Sequence, residues 1–366
     1  MKKHNANNER IKREYVRFLK ESKGQNDASL DAVVMAFSRF ETYTGYCDFK
    51  KYHYEQAIGF KKYLAKQNGQ QSGKQLSLAT RKTTLRHLKT FFQWLGMQTG
   101  YKSRINFTDA EYFNLSEKDS RIATASRKKS PPTLEQINRV IEVMPTTTVI
   151  DRRNRALIAF TLLTGARDKA IASAKLKHID LTEASFFHDA REVDTKNSKT
   201  FKTFFLPVGD DIRQIVIDWV NYLKTEELWG DDDPLFSKTA LALDDNRLFK
   251  ANGLARSHWS TANAIRGIFK AAFANAGLPY FNPHLFRDTL TKLGQRLCKT
   301  PEQFKAWSQN FGHQHVLTTF ISYGEVEVER QGELIRGLSS IKAEEKTDVK
   351  KLAQALAREL RVSSLR

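Results

Sequence analysis

Cysteine is nearly absent from this chain. Cys47 and Cys298 are the only two in 366 residues, and neither stands at a spacing that suggests a metal knuckle or a disulfide framework. A reducing compartment, the cytoplasm, is therefore expected. Long apolar runs are missing as well. The longest, residues 156–166 between Arg155 and Arg167, falls short of the ~18 residues of a membrane span, so no membrane partner is expected. The basic opening MKKHNANNERIKREY lacks the apolar core of a signal peptide. Acid is scarce in one place: residues 50–90 hold 10 basic side chains and one acid, Glu55.

What is present is positive charge, unevenly placed. The chain carries a net charge of +19, and residues 1–130 supply 26 Lys+Arg against 12 Asp+Glu, a surplus of 14. A field of this sign suits a polyanion, and phosphate contacts of this kind give affinity without sequence information. A merely solvated charged face is the plain alternative for that segment alone. The length accommodates two domains of ordinary size.

Helical periodicity dominates the first third. Residues 28–43 carry Leu30, Val33, Val34, Phe37 and Phe40 as a 3.6-period stripe that Thr44-Gly45 would end. A second helix spans 54–66, and a third, 78–95, sets Leu85, Leu88, Phe91, Phe92 and Leu95 against Arg81, Lys82, Arg86 and Lys89. That basic face is where phosphates are expected. The loop QNGQQSGKQ between these helices departs from a phosphate-binding Walker loop by one residue of spacing and reads as a linker. Residues 1–24 add a basic helix that would extend the module.

From Ser116 to Pro132 the sequence has few apolar residues, a basic cluster Arg127-Lys128-Lys129 and two prolines, and reads as an extended linker tracking a nucleic-acid backbone. Thr133 to Gln136 is a capping box. Residues 152–163 form a strongly apolar helix broken by Gly165, so that Arg167 emerges at the next helix start. Strands are expected within 179–208, at Ser185–His188, Arg191–Val193 and Thr203–Pro207, with a hairpin turn at 195–199. Residues 212–223 and 261–274 read as helices, and 230–252 as polar and irregular. Arg256, Arg266 and Lys270 are explained equally well as DNA-facing or as solvated.

The stretch from Pro283 to Tyr323 holds the chemistry-bearing residues. His284 and Arg287 are three apart and would share one helix face. Thr300-Pro301-Glu302-Gln303 opens another helix with a capping threonine and proline at its first position. After Gly312 comes His313, and ten residues further on Tyr323 precedes Gly324. A metal site of His284, His313 and His315 is disfavoured, because no carboxylate or cysteine stands at ligand spacing and Arg287 would repel a cation. His315 reads as a surface residue or a phosphate contact.

H-x-x-R, then G-H, then tyrosine resembles the catalytic end of the tyrosine recombinases, the phage integrase family. Two further markers of the resemblance lie upstream: Arg167 in Thr164-Gly165-Ala166-Arg167, and Lys196 in the polar hairpin, with Lys199 as second choice. The sequence departs from the family pattern at Ala170, where an acidic residue is usual, and at Phe286 and Asp288, where leucine and histidine are more common. Which carboxylate orients Arg167 is therefore open, Asp168 being one candidate.

The resemblance implies a mainly α, two-domain protein: a helical core-binding clamp (1–126, with the linker from about 116), then a catalytic domain with a small antiparallel β-sheet (127–340). A tail helix (341–366) with Val349, Leu352, Leu356 and Leu360 on one stripe would dock on a neighbouring protomer. It further implies that Tyr323 attacks a DNA phosphodiester to give a 3′-phosphotyrosyl link. Arg167, Arg287 and His313 would hold the phosphate oxygens, His284 would orient the phosphate or take the tyrosine proton, and Lys196 would protonate the leaving 5′-oxygen. Four protomers on two sites would exchange strands through a Holliday junction, with double-stranded DNA as partner, accessory DNA-bending proteins where needed, and no cofactor or metal. The competing readings are a type IB topoisomerase and a non-catalytic DNA-binding regulator.

Overall fold

The computed structural model describes residues 4–69, 73–125, 130–195, 198–243 and 248–313. The chain divides into two compact units, the break falling after residue 127.

In the first unit the elements are α1 (Ala6–Arg17, continued by one π turn, Phe18–Ser22), α2 (Asp27–Thr44), α3 (Tyr54–Ala65), α4 (Leu78–Leu95) and α5 (Glu117–Thr124), with 3₁₀ turns at Phe49–Lys51 and Phe107–Phe113. Each start that the sequence marks with a short polar residue is capped by it: Asn5, Asn26, Ser77 and Ser116 all accept backbone N–H bonds. Gly45, at φ 63°, ends α2 in the left-handed region. The core is aromatic. Phe37, Phe40, Phe60, Phe91, Phe92 and Phe113 are fully buried, and the Tyr52 ring stacks on Phe92 at 3.8 Å.

Helix α1 belongs to this core. Ile11, Tyr15 and Leu19 are buried, Asn8 Oδ1 accepts from Phe49 N at 2.9 Å, and the buried Glu41 accepts from Asn8 Nδ2 and Lys12 Nζ. Burial pushes the Tyr15 hydroxyl up to about 12. One expectation is corrected here. The stretch from Ser116 is no extended linker throughout, because Ser116 caps Asp119 N and 117–124 is helical.

The second unit runs α6 (Leu134–Val143), α7 (Val149–Thr164), α8 (Asp168–Ser173), β1 (Ile179–Asp180), β2 (Ser185–His188), β3 (Phe201–Phe204), α9 (Asp210–Thr225), β4 (Thr239–Leu243), β5 (Phe249–Leu254), α10 (Asn263–Asn275), α11 (His284–Leu297) and α12 (Pro301–Asn310). Capping boxes at Thr133/Gln136 and Thr300/Gln303 match the sequence reading, and a third, Thr148/Asp151, starts α7 ahead of its apolar run. Residues 156–164 of α7 are all buried, so this helix is the axis of the core.

A three-stranded antiparallel sheet, β1-β2-β3, lies beside it, with His188 opposite Phe201 and Phe186 opposite Thr203. Residues 191–193 are not a strand. Glu192 N and Val193 N both bond the Asp189 carbonyl, and Arg191 closes on the Asp189 carboxylate, so the chain turns there instead of pairing. Strand β3 also starts two residues earlier than the pattern suggests and ends at Phe204. Nor is 230–252 irregular throughout, since β4 and β5 form an antiparallel hairpin with Leu241, Leu243 and Phe249 exposed. No face of that hairpin is buried, so no alternating stripe announced it. Arg153 anchors its base, donating from Nη1 to the Ser237 carbonyl at 2.9 Å and Thr239 Oγ1 at 3.1 Å.

Candidate active site

Gly165 is the corner of the site. It ends α7 at φ 61°, and an added Cβ would stand 2.6 Å from the Phe311 ring. A left-handed residue here turns the chain sharply, and Arg167 follows as N-cap of α8. The same glycine's carbonyl oxygen accepts from Arg287 Nη1 at 2.6 Å, so two arginines far apart in sequence line one pocket with Thr164, Ala170, Thr195 and Thr203.

Arg287 lies on α11 and is 3% exposed. Burying a guanidinium is costly unless its donors are used. Beyond the Gly165 bond, Nη2 donates to the Phe311 carbonyl at 2.9 Å and approaches His313 Nε2 at 3.2 Å, while the guanidinium sits 4.7 Å over the Phe311 ring. Arginine has no acceptor, so His313 Nε2 takes part through its lone pair and the imidazole proton belongs on Nδ1. His284 opens α11 one turn before Arg287 and is exposed; its backbone N–H bonds Asn282 Oδ1.

The Asp168 carboxylate pairs with Arg266, at 2.9 Å from Nε and 2.8 Å from Nη2. Arg256 is likewise engaged, by Asp233. On the first unit, Lys89 pairs with Glu111 at 2.6 Å and Lys82 Nζ reaches the Ser120 carbonyl at 3.4 Å, so part of the α4 basic face is tied to its own unit. Lys196, Tyr323, His315, the cluster Arg127-Lys128-Lys129 and the tail from residue 341 lie outside the described residues.

Three residues that the sequence did not single out are His188, Thr203 and Asn310. His188 and Thr203 are buried beside the pocket, and burial together with the charges of Arg287 and Arg167 pushes the His188 imidazole down to about 3. Among the described residues its Nδ1 has no hydrogen-bond partner. The available signal was a histidine ending the strand Ser185-Phe186-Phe187-His188 within a few residues of the polar hairpin.

Arg167 and Arg287 line one pocket, with His313 against Arg287, on a mainly helical fold with a small sheet, and donors of this kind suit the oxygens of an anion. The sequence model of the phage integrase family matches residues 133–330, more than half of the chain. The chain belongs to the phage integrase family, and is accordingly an enzyme of site-specific DNA recombination. No curated protein matches it.

Among solved structures, XerH site-specific recombinase bound to a palindromic difH substrate is similar over 88% of this chain and 83% of its own, at 16% identity and a TM-score of 0.59. A lambda integrase dimer bound to a COC′ core site is similar over 87% and 80%, at 13% identity and 0.58. The Tn1549 transposon integrase in complex with transposon right-end DNA covers 90% and 99%, at 15% identity and 0.57. At these identities the likeness is one of fold.

Proposed function

We propose that the chain cleaves and rejoins double-stranded DNA at specific sites, with Tyr323 as nucleophile and a 3′-phosphotyrosyl intermediate. The observation that carries this reading is the hydrogen-bond set of Arg287. It draws the Gly165 turn and the Phe311–His313 turn around one buried guanidinium. Arg167, Arg287 and His313 then hold the non-bridging oxygens of the scissile phosphate, where negative charge grows as a fifth oxygen approaches phosphorus. His284, one helical turn from Arg287, orients the phosphate or receives the tyrosine proton.

Lys196 protonates the departing 5′-oxygen, and the phosphotyrosyl bond keeps the energy of the broken linkage, so rejoining needs no nucleotide cofactor. The first unit supplies the basic clamp, residues 1–126, with Arg81 and Arg86 of α4 among its DNA contacts. Residues 127–340 form the catalytic domain. The tail helix at 341–366 docks on a neighbouring protomer in a tetramer working through a Holliday junction, with DNA-bending proteins as accessories at some sites.

A nicked suicide duplex carrying the target site tests the reading. Wild type should accumulate a protein–DNA adduct that survives denaturation, and Tyr323→Phe should bind the same duplex without forming it. Adduct formation by Tyr323→Phe would overturn the assignment of the nucleophile.

A further inference from the structure

Among the described residues β3 is the outer strand of its sheet, and one side chain bonds its outer edge. Asn310, the last residue of α12, accepts from Phe204 N at 2.7 Å through Oδ1 and donates to the Phe204 carbonyl at 2.8 Å through Nδ2. An asparagine amide bonded in this way stands in for the next strand of the sheet. Its backbone carbonyl is used too, accepting from Thr203 Oγ1 at 2.8 Å. Because the threonine proton is committed there, Thr203 Oγ1 serves His188 as an acceptor, and the 3.1 Å contact is a donation from His188 Nε2–H.

The His188 ring lies flat against Phe201 across the strand pair, 4.0 Å between centroids and 10° between planes. The tip of the Phe201 ring meets Gly312, where an added Cβ would stand 2.7 Å from Cζ. His188, Thr203 and Asn310 therefore form one directional chain of hydrogen bonds, roofed by a ring that touches the residue before His313. The turn at residues 311–313 is held independently by Arg287. The hairpin is the partner whose place this brace decides.

We propose that His188, Thr203 and Asn310 are positioning residues, which lock the β2–β3 hairpin onto the end of α12 so that the proton donor on the hairpin turn is delivered to the leaving 5′-oxygen. Burial, with the charges of Arg287 and Arg167, keeps the imidazole neutral, and the bond to Thr203 places its one proton on Nε2. The inference rests on the proposed recombinase chemistry and names a device within it.

Thr203→Val keeps the shape of the side chain and removes the hydroxyl that links the other two; Thr203→Ser retains it. On a suicide duplex with normal phosphate, Thr203→Val should cleave about tenfold or more slowly, a fraction of the full ~10²–10⁴ effect of losing a general acid, while Thr203→Ser stays near wild type. DNA affinity should be unchanged in both. On a duplex with sulfur at the 5′-bridging position, whose thiolate leaves without a proton, Thr203→Val should return to the wild-type rate. Asn310→Ala should behave in the same way, which covers the case of a valine variant that folds poorly.

Slow cleavage that sulfur fails to restore, in variants where Lys196→Ala is restored, would overturn the positioning role and leave a structural one. Cleavage at full speed by Thr203→Val and Asn310→Ala would overturn the brace altogether. Failure of the underlying chemistry looks different, since wild type itself would then form no adduct on either duplex.

Discussion

Arg287 Nη1 donates to the carbonyl oxygen of Gly165 across 2.6 Å, joining residues 122 apart in sequence. The bond ties the turn that launches Arg167 to the helix that carries His284, and it forms because the Gly165 carbonyl is left without a helical partner at the end of α7. Three constraints thus meet on one glycine: a positive φ, a carbonyl aimed at a guanidinium, and the Phe311 ring where a Cβ would be.

Gly165→Ala is expected to be damaging on two of these counts, the positive φ and the overlap with Phe311. The left-handed conformation costs an L-residue about 1–2 kcal/mol, and the overlap with Phe311 adds to it. The melting temperature should fall by several degrees, and adduct formation should fall further than stability accounts for, because Phe311 carries the carbonyl that Arg287 Nη2 uses. Thermal unfolding together with single-turnover cleavage below the transition checks this. An alanine variant as active and as stable as wild type would refute it.

Asp288 gives a pH signature. Burial lifts its carboxyl from 3.8 to about 6, while Arg287 and Lys292 pull the other way. The folded state holds this proton more tightly than the unfolded one. The group's contribution is therefore most favourable below the unfolded value of 3.8, declines as pH rises, and is lost once pH passes the folded value near 6. Each tenfold change in proton affinity is worth about 1.4 kcal/mol, and water reaches part of this carboxyl, so the loss is about 1–3 kcal/mol. Asp288→Asn should be more stable than wild type by that amount above neutral pH, and the two should converge near about pH 3.5. Denaturant melts at both pH values decide it, and a pH-independent difference would count against the burial argument.

Much of the site was legible because its residues stand in short local patterns. A glycine followed two residues later by an arginine, a histidine one helical turn before another arginine, and a histidine after a glycine are visible without any knowledge of packing. Capping boxes at Thr133 and Thr300 were equally plain, since a cap is made within four residues. What the sequence hid are relationships between segments. Asn310 pairs with Phe204, 106 positions away, and nothing in either neighbourhood announces it. The β4–β5 hairpin was hidden for a different reason: with both faces largely exposed it carries no hydrophobic stripe. At 117–124 the polar composition that suggested a linker is the composition of an exposed helix, and only the cap at Ser116 betrays it.

The first unit should bind duplex DNA in a salt-dependent way. Residues 1–126 hold 23 Lys+Arg against 12 Asp+Glu, a surplus of 11 positive charges, and α1 is built into the same aromatic core as α4, so the basic opening of the chain adds to one surface-charged body. Lys89 is paired with Glu111, so Lys89→Ala should change the affinity less than Arg86→Ala does. Titrations of fragment 1–126 at several salt concentrations should give a steep linear fall of log affinity with log salt. Absent or salt-insensitive binding would remove the clamp from the proposed function.

The proton donor is the assignment that most needs chemistry to decide it. An alkoxide leaves poorly, so removing its acid should slow cleavage about 10²–10⁴-fold. Sulfur at the 5′-bridging position leaves as a thiolate and needs no proton. Lys196→Ala should therefore be slow on ordinary DNA and largely restored on the sulfur-bridged duplex, whereas Arg287→Ala, which in the proposed mechanism removes charge that stabilises the transition state, should be restored much less. Lys199→Ala, on the same turn, should be mild on both. Restoration of Lys199→Ala alone would shift the acid three residues along the hairpin. Restoration of neither would take the proton from the lysines altogether and give it to a histidine or to water.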